Sequence, residues 1–157
     1  MGSVNIGVES CQGLQPASLN PAAASATPLE VLLVEDNAGD TLMIYEAAKA
    51  SSIPVHLHLA RDADQALLIV GDHTFDPDLV ILDLNLPGES GFSVLEHWQS
   101  SNLPVVVFTG SSDAAAERHA LDLGARAFVT KPANFQAYQD AVRGIIARWA
   151  RRGPMEG

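Results

Sequence analysis

Apolar residues in this chain come in short runs separated by longer segments with helical spacing. The runs are Val31 to Val34, Val55 to Ala60, Leu79 to Leu84, Val105 to Phe108 and Ala127 to Val129. Near-continuous Val, Ile, Leu and Phe suits parallel strands, because helices cover both faces and every side chain is buried. Val55 to Ala60 differs: His56 and His58 alternate with apolar residues, which predicts an edge strand with one wetter face. Helices are predicted over about 40–50, ending before Pro54, and over 63–70, ending at Gly71, which tolerates the left-handed conformation of a helix stop. Others are predicted over 91–99, over 114–123 with a Ser111 or Ser112 hydroxyl as cap, and from Phe135 to about Arg151 behind Asn134. Five strand–helix alternations with short connections predict an open, doubly wound α/β sheet with right-handed crossovers. In such sheets, ligands bind outside the C-terminal ends of the strands.

The first 28 residues break this pattern. They are rich in Ser, Ala, Gly and Pro and carry one charged side chain, Glu9, so they are read as a disordered tail. They lack the basic start and continuous apolar stretch of a signal peptide. The folded domain is then expected over 29–152, with a flexible C-terminus over 153–157. The lone cysteine, Cys11, falls in the tail and rules out an intrachain disulfide. No apolar run approaches the roughly 20 residues that span a bilayer, so no membrane association and a cytoplasmic location are expected. A net charge of -10 argues against direct DNA binding, although Arg143, Arg148, Arg151 and Arg152 crowd one end.

At the strand ends the polar residues form one set. Glu35 and Asp36 follow the first run, Asp83 interrupts the third, Thr109 follows the fourth, and Thr130-Lys131-Pro132 follows the fifth. Converging carboxylates repel and raise one another's pKa unless a cation joins them. Oxygen ligands on tight turns suit Mg²⁺, which keeps several waters and takes one or two carboxylates. Such an ion neutralises phosphate charge while a carboxylate attacks phosphorus, and Lys131 and Thr109 can hold further phosphate oxygens.

These segments resemble the receiver domain of two-component response regulators over essentially all of 30–151. The motifs are Val31 to Asp36, Ile81 to Gly91 with Asp83-Leu84-Asn85-Leu86-Pro87-Gly88, Val107-Phe108-Thr109-Gly110, and Phe128-Val129-Thr130-Lys131-Pro132. The resemblance implies a flavodoxin-like (βα)5 fold with a five-stranded parallel sheet in the order 2-1-3-4-5. It implies that Asp83 accepts a phosphoryl group from a sensor histidine kinase and that Thr109 and Lys131 bind that group. Mg²⁺ would be held by Asp36 and Asp83 through their side chains, by Asn85 through its carbonyl and by Glu35 through a water. The Lys131–Pro132 bond would be cis. Phe128 would be the switch aromatic that turns inward as Thr109 moves. The stretch Val34 to Asp40 is similar to single-domain regulators partnering phytochrome-type kinases, as is a long last helix with Trp149 near its tip. The connection from Gln99 to Pro104 is shorter than in that subgroup.

The reading is therefore a stand-alone phospho-switch whose output is a partner surface on the fourth helix, fifth strand and fifth helix. It is not an enzyme beyond its own phosphorylation and dephosphorylation. On the last helix, Tyr138, Val142, Ile145, Ile146 and Trp149 recur at three- and four-residue spacing. A core face accounts for that spacing, but the arginines beside Trp149 favour Tyr138, Val142, Ile146 and Trp149 as a dimer or docking surface. The five histidines show no metal-ligand spacing and are read as structural; His56 and His58 share a face without an assignable partner. A phosphatase with an aspartyl nucleophile would want a second acid where Asn85 stands. A flavin module would want a phosphate-binding loop where Glu35-Asp36 stands. A pseudo-receiver that works without phosphorylation is the remaining alternative.

Overall fold

The computed structural model describes residues 27–71 and 75–156, with side chains through residue 150. The expected N-terminal tail thus lies almost wholly outside the described residues. Five strands, β1 (Leu29–Val34), β2 (Val55–Ala60), β3 (Leu79–Leu82), β4 (Val105–Thr109) and β5 (Ala127–Thr130), alternate with α1 (Ala38–Ala50), α2 (Ala63–Gly71), α3 (Gly91–His97), α4 (Ala114–Asp122) and α5 (Phe135–Glu156). The sheet is parallel, in the order β2-β1-β3-β4-β5, as the resemblance implied.

Strand periodicity divides the core. Val31 and Leu33 of β1 point with Leu79, Ile81, Val106 and Phe108 to the face covered by α1 and α5. Leu32 and Val34 point with Val80, Leu82 and Val107 to the face covered by α2, α3 and α4. The central strands are buried along their whole lengths. β2 lies at the edge, with Leu57 and Leu59 buried and His56 and His58 only half-buried, as its alternation predicted.

Side chains close the helix starts. Asn37 Oδ1 accepts from the Asp40 N–H at 2.8 Å, Ser90 Oγ from Phe92 N–H at 3.2 Å and Asn134 Oδ1 from Ala137 N–H at 2.9 Å. The cap of α4 is Asp113, not the expected Ser111 or Ser112. Its carboxylate accepts from Ala115 N–H at 3.0 Å, while Ser111 Oγ instead takes the N–H of Asp113 at 3.2 Å. At the start of α3, a Cβ on Gly91 would lie 2.7 Å from both the Asp83 carbonyl oxygen and Leu84 Cα. Only glycine lets this helix start so close to the backbone after β3.

The last helix runs to Glu156, beyond the predicted end near Arg151. One expectation about it does not hold, the proposed dimer surface. Tyr138, Val142, Ile146 and Trp149 are all buried, packed with Ile44 and Ala47 of α1 and with the sheet. The stripe is core because α1 and α5 together must cover one whole sheet face. Arg148 lies with its guanidinium carbon 4.9 Å from the centre of the Trp149 ring, in a cation–π contact. Trp149→Ala is expected to destabilise the fold by about 3–5 kcal/mol in urea denaturation, with no change in solution mass by light scattering.

Candidate functional site

Backbone ladders bring the polar set together. Past the end of β1, Glu35 N–H donates to the Ala60 carbonyl at 3.0 Å, and Asp83 N–H donates to the Val34 carbonyl at 3.0 Å. Across the sheet, Lys131 N–H donates to the Thr109 carbonyl at 2.7 Å. Each residue is therefore fixed by one more rung of the sheet, and its side chain emerges at the C-terminal edge.

The centre is the Lys131 ammonium. It lies 2.9 Å from Glu35 Oε1, 3.2 Å from Asp40 Oδ2 and 3.3 Å from Asp83 Oδ2. The remaining carboxylate oxygens are also paired. Glu35 Oε2 accepts from Asn37 N–H at 3.1 Å, Asp83 Oδ1 from Asn85 N–H at 3.2 Å and Asp40 Oδ1 from the Tyr138 hydroxyl at 2.6 Å. Burial pulls the lysine pKa down, but the hydrogen bond and charge of Glu35, with Asp83 and Asp40, outweigh it and hold the ammonium above the ordinary lysine value. For Tyr138, burial and then the Asp40 carboxylate push the phenol far up, so it stays protonated and donates.

Glu35 is only 1% exposed. Burial, followed by the charge of Asp83, raises its pKa to about 7 despite Lys131 and the Asn37 N–H. Three carboxylates, those of Glu35, Asp40 and Asp83, face the one ammonium, which fits a site that takes a second cation. The donors suit Mg²⁺: Asp36 is exposed beside Glu35, and the strands that lead into Glu35 and Asp83 pair directly. The side-chain oxygens of Glu35, Asp36 and Asp83 do not meet as a compact trio, and an ion that keeps several waters does not need them to.

Thr109 is fully buried, and its Oγ1 has no hydrogen-bond partner among the described residues. Phe128 is half-buried and packs towards the core under α2, α3 and α4. Asn85 is exposed beside Asp83. No cis peptide bond occurs among the described residues, so the expected cis Lys131–Pro132 bond is trans, and the lysine reaches its three carboxylates in that form. Sequence reasoning missed Asp40, which read as an ordinary acidic residue in the first turn of α1. Nothing in its local spacing tied it to Lys131 or to Tyr138, both more than ninety positions away.

The raised Glu35 pKa has a definite sign for stability. Between its unfolded value of 4.5 and about 7, the folded protein holds the proton more tightly than the unfolded chain. This group's contribution therefore falls as pH rises through that window, by about 3 kcal/mol in full. In EDTA, the native protein is expected to lose stability from pH 5 to pH 8 relative to Glu35→Gln, as read by parallel thermal melts.

Comparison with known proteins agrees with the geometry. The family model for the response regulator receiver domain matches residues 31–143. The response regulator Rcp1 of Synechocystis sp. is 31% identical over 134 residues, which cover 80% of this chain and 91% of Rcp1. The structure of the phosphorylated cyanobacterial phytochrome response regulator RcpA superposes with a TM-score of 0.74 at 32% identity, covering 79% of this chain and 95% of RcpA. For the Mn²⁺-bound form of Rcp1, the TM-score is 0.72 at 32% identity, with 78% and 94% covered. The virulence transcriptional regulatory protein PhoP of Salmonella typhimurium is 32% identical over 122 residues, 76% of this chain but only 53% of PhoP. In sequence, topology and the polar set at its strand ends, the chain belongs to the response regulator receiver domain family.

Proposed function

We propose that this receiver domain is a phosphorylation switch in which Asp83 takes a phosphoryl group from a sensor histidine kinase. The observation that carries this reading is a buried, lysine-bound Asp83 beside a buried Thr109 hydroxyl on the neighbouring strand end that has no hydrogen-bond partner among the described residues. A core threonine with no structural partner is costly. A phosphoryl group on Asp83 would supply acceptor oxygens for it.

In the reaction, an Asp83 oxygen attacks phosphorus, the bond to the donor's imidazole nitrogen breaks and an acyl phosphate forms. Mg²⁺ held by Asp36, Asp83, the Asn85 carbonyl and, through a water, Glu35 would neutralise charge on the transferring group. Lys131 is already hydrogen-bonded at Asp83 and turns to a phosphoryl oxygen without crossing the site. Thr109 rotates towards another, and Phe128 follows into the space it leaves. The phosphorylated arrangement is favoured only by what these contacts add over the unmodified one.

The output surface is the exposed side of α4, β5 and α5, where Leu121 and Phe135 offer apolar contacts. The likeness to Rcp1 and RcpA makes a phytochrome-type kinase the leading candidate for the input partner. A downstream protein, rather than DNA, is the proposed target.

Intact mass after incubation with Mg²⁺ and acetyl phosphate tests the acceptor. One added phosphoryl group is expected in the wild type, none in Asp83→Ala and none in EDTA. Beryllofluoride covers the case of fast hydrolysis; no adduct and no bound complex would leave a phosphorylation-independent module as the better reading. Thr109→Val separates function from stability. It removes an unpaired buried hydroxyl, so the unmodified protein should be unchanged or about 1 kcal/mol more stable in urea. The same variant should weaken beryllofluoride binding, measured by calorimetry.

A further inference from the structure

The N-terminal ends of β1 and β2 carry a second cluster that the phospho-switch does not use. Glu30 of β1 stands directly opposite His56 of β2 in the parallel register, and His58 lies two residues further along the same face. Glu30 Oε2 is 3.3 Å from His56 Nδ1, and Glu30 Oε1 is 2.8 Å from His58 Nε2. All three ligand atoms lie within 4.8 Å of one another. We propose that Glu30, His56 and His58 bind a borderline first-row dication of the Zn²⁺ class at the sheet edge.

Distance and chemistry both favour this class. Around a tetrahedral zinc with bonds near 2.0–2.1 Å, neighbouring ligand atoms sit about 3.3 Å apart, the scale of the separations seen here. Two imidazoles and one carboxylate select Zn²⁺, Ni²⁺ or Cu²⁺ over Mg²⁺, which prefers oxygen. Three protein ligands leave one position open to water or a partner's side chain. The cluster also has support behind its ligands. The Phe75 ring packs 4.4 Å from that of His58, and the Asp78 carboxylate accepts from Glu30 N–H at 2.8 Å, adding negative charge nearby. The His56 and His58 rings meet edge-on with their centres 5.4 Å apart, so their nitrogens can turn to one ion. The side chains remain 23–39% exposed, so an ion can enter from solvent.

The site is independent of the carboxylates at the opposite ends of the strands. A metal there would tie edge strand β2 to β1 through side chains, in addition to their backbone ladder. The test is calorimetric titration of untagged full chain with Zn²⁺ in millimolar Mg²⁺, for the wild type and for Asp36→Ala/Asp83→Ala. One equivalent bound in both is expected, with affinity falling at least about tenfold in Glu30→Gln and in His58→Gln. Melts in EDTA establish that these variants fold. Melting temperature should rise with Zn²⁺ in the wild type and not in His56→Gln/His58→Gln. Histidine side-chain NMR should move the His56 and His58 ring signals together. Failure of the wild type to bind at micromolar Zn²⁺, or undiminished binding in His56→Gln/His58→Gln, would overturn the proposal, the second outcome by assigning the metal to His73, His97, His119 or Cys11. Loss of binding only in Asp36→Ala/Asp83→Ala would overturn it equally, by placing the ion at the other end of the sheet.

Discussion

The candidate site depends on one ammonium. Lys131 follows the last strand and reaches carboxylates from the end of β1, the first turn of α1 and the end of β3. Glu35 and Asp83 are both buried, and two buried carboxylates side by side are tolerated only with a cation between them. The lysine needs them in turn, because burial alone would drive it towards the neutral amine. The charges could not be placed this closely on loops. One extra ladder rung each fixes Glu35, Asp83 and Lys131, so the rigidity of the sheet carries the electrostatics.

The arrangement is not the most stable one the chain could have. Glu35 keeps a raised pKa even with Lys131 in contact, and Thr109 buries a hydroxyl with no partner among the described residues. A protein selected only for stability would remove both features by a single substitution each. They are intelligible if the unmodified state is one of two, and the other supplies what this one lacks: a divalent charge beside Glu35 and acceptor oxygens beside Thr109.

Much of this was legible in the sequence because parallel sheets have a simple code. Apolar runs of three to six residues marked the strands, and the polar residues at the C-terminal ends of those runs lie at the ligand-binding edge, which delivered Glu35, Asp83, Thr109 and Lys131 as a set. Illegible were relations that depend on which helix lies beside which strand. Asp40 meets Lys131 and Tyr138 only because α1 and α5 cover the same sheet face. Trp149 looked like a surface residue at a helix tip because sequence spacing defines a stripe but not what covers it. Glu30 found its histidines through strand register, which pairs positions 26 and 28 residues apart. The motif residues were readable one by one, and the partners that hold them were not.

Asp40 links the site to the helical layer beneath it. One of its oxygens takes the lysine and the other takes the Tyr138 hydroxyl, so a single carboxylate joins the strand ends to the middle of the α1–α5 core. If Lys131 turns to a phosphoryl group, Asp40 loses its cation while keeping the tyrosine, and the balance of charge at the α1–α5 contact changes. Tyr138 also packs its ring 5.2 Å from that of Phe108, the residue before Thr109. The proposed phosphorylation would then be felt on both faces of the sheet: through Thr109 and Phe128 on one, and through Asp40 and Tyr138 on the other. Tyr138 sits inside the protein rather than on a docking surface, and under the proposed phosphorylation it would carry the state of the strand ends to the last helix.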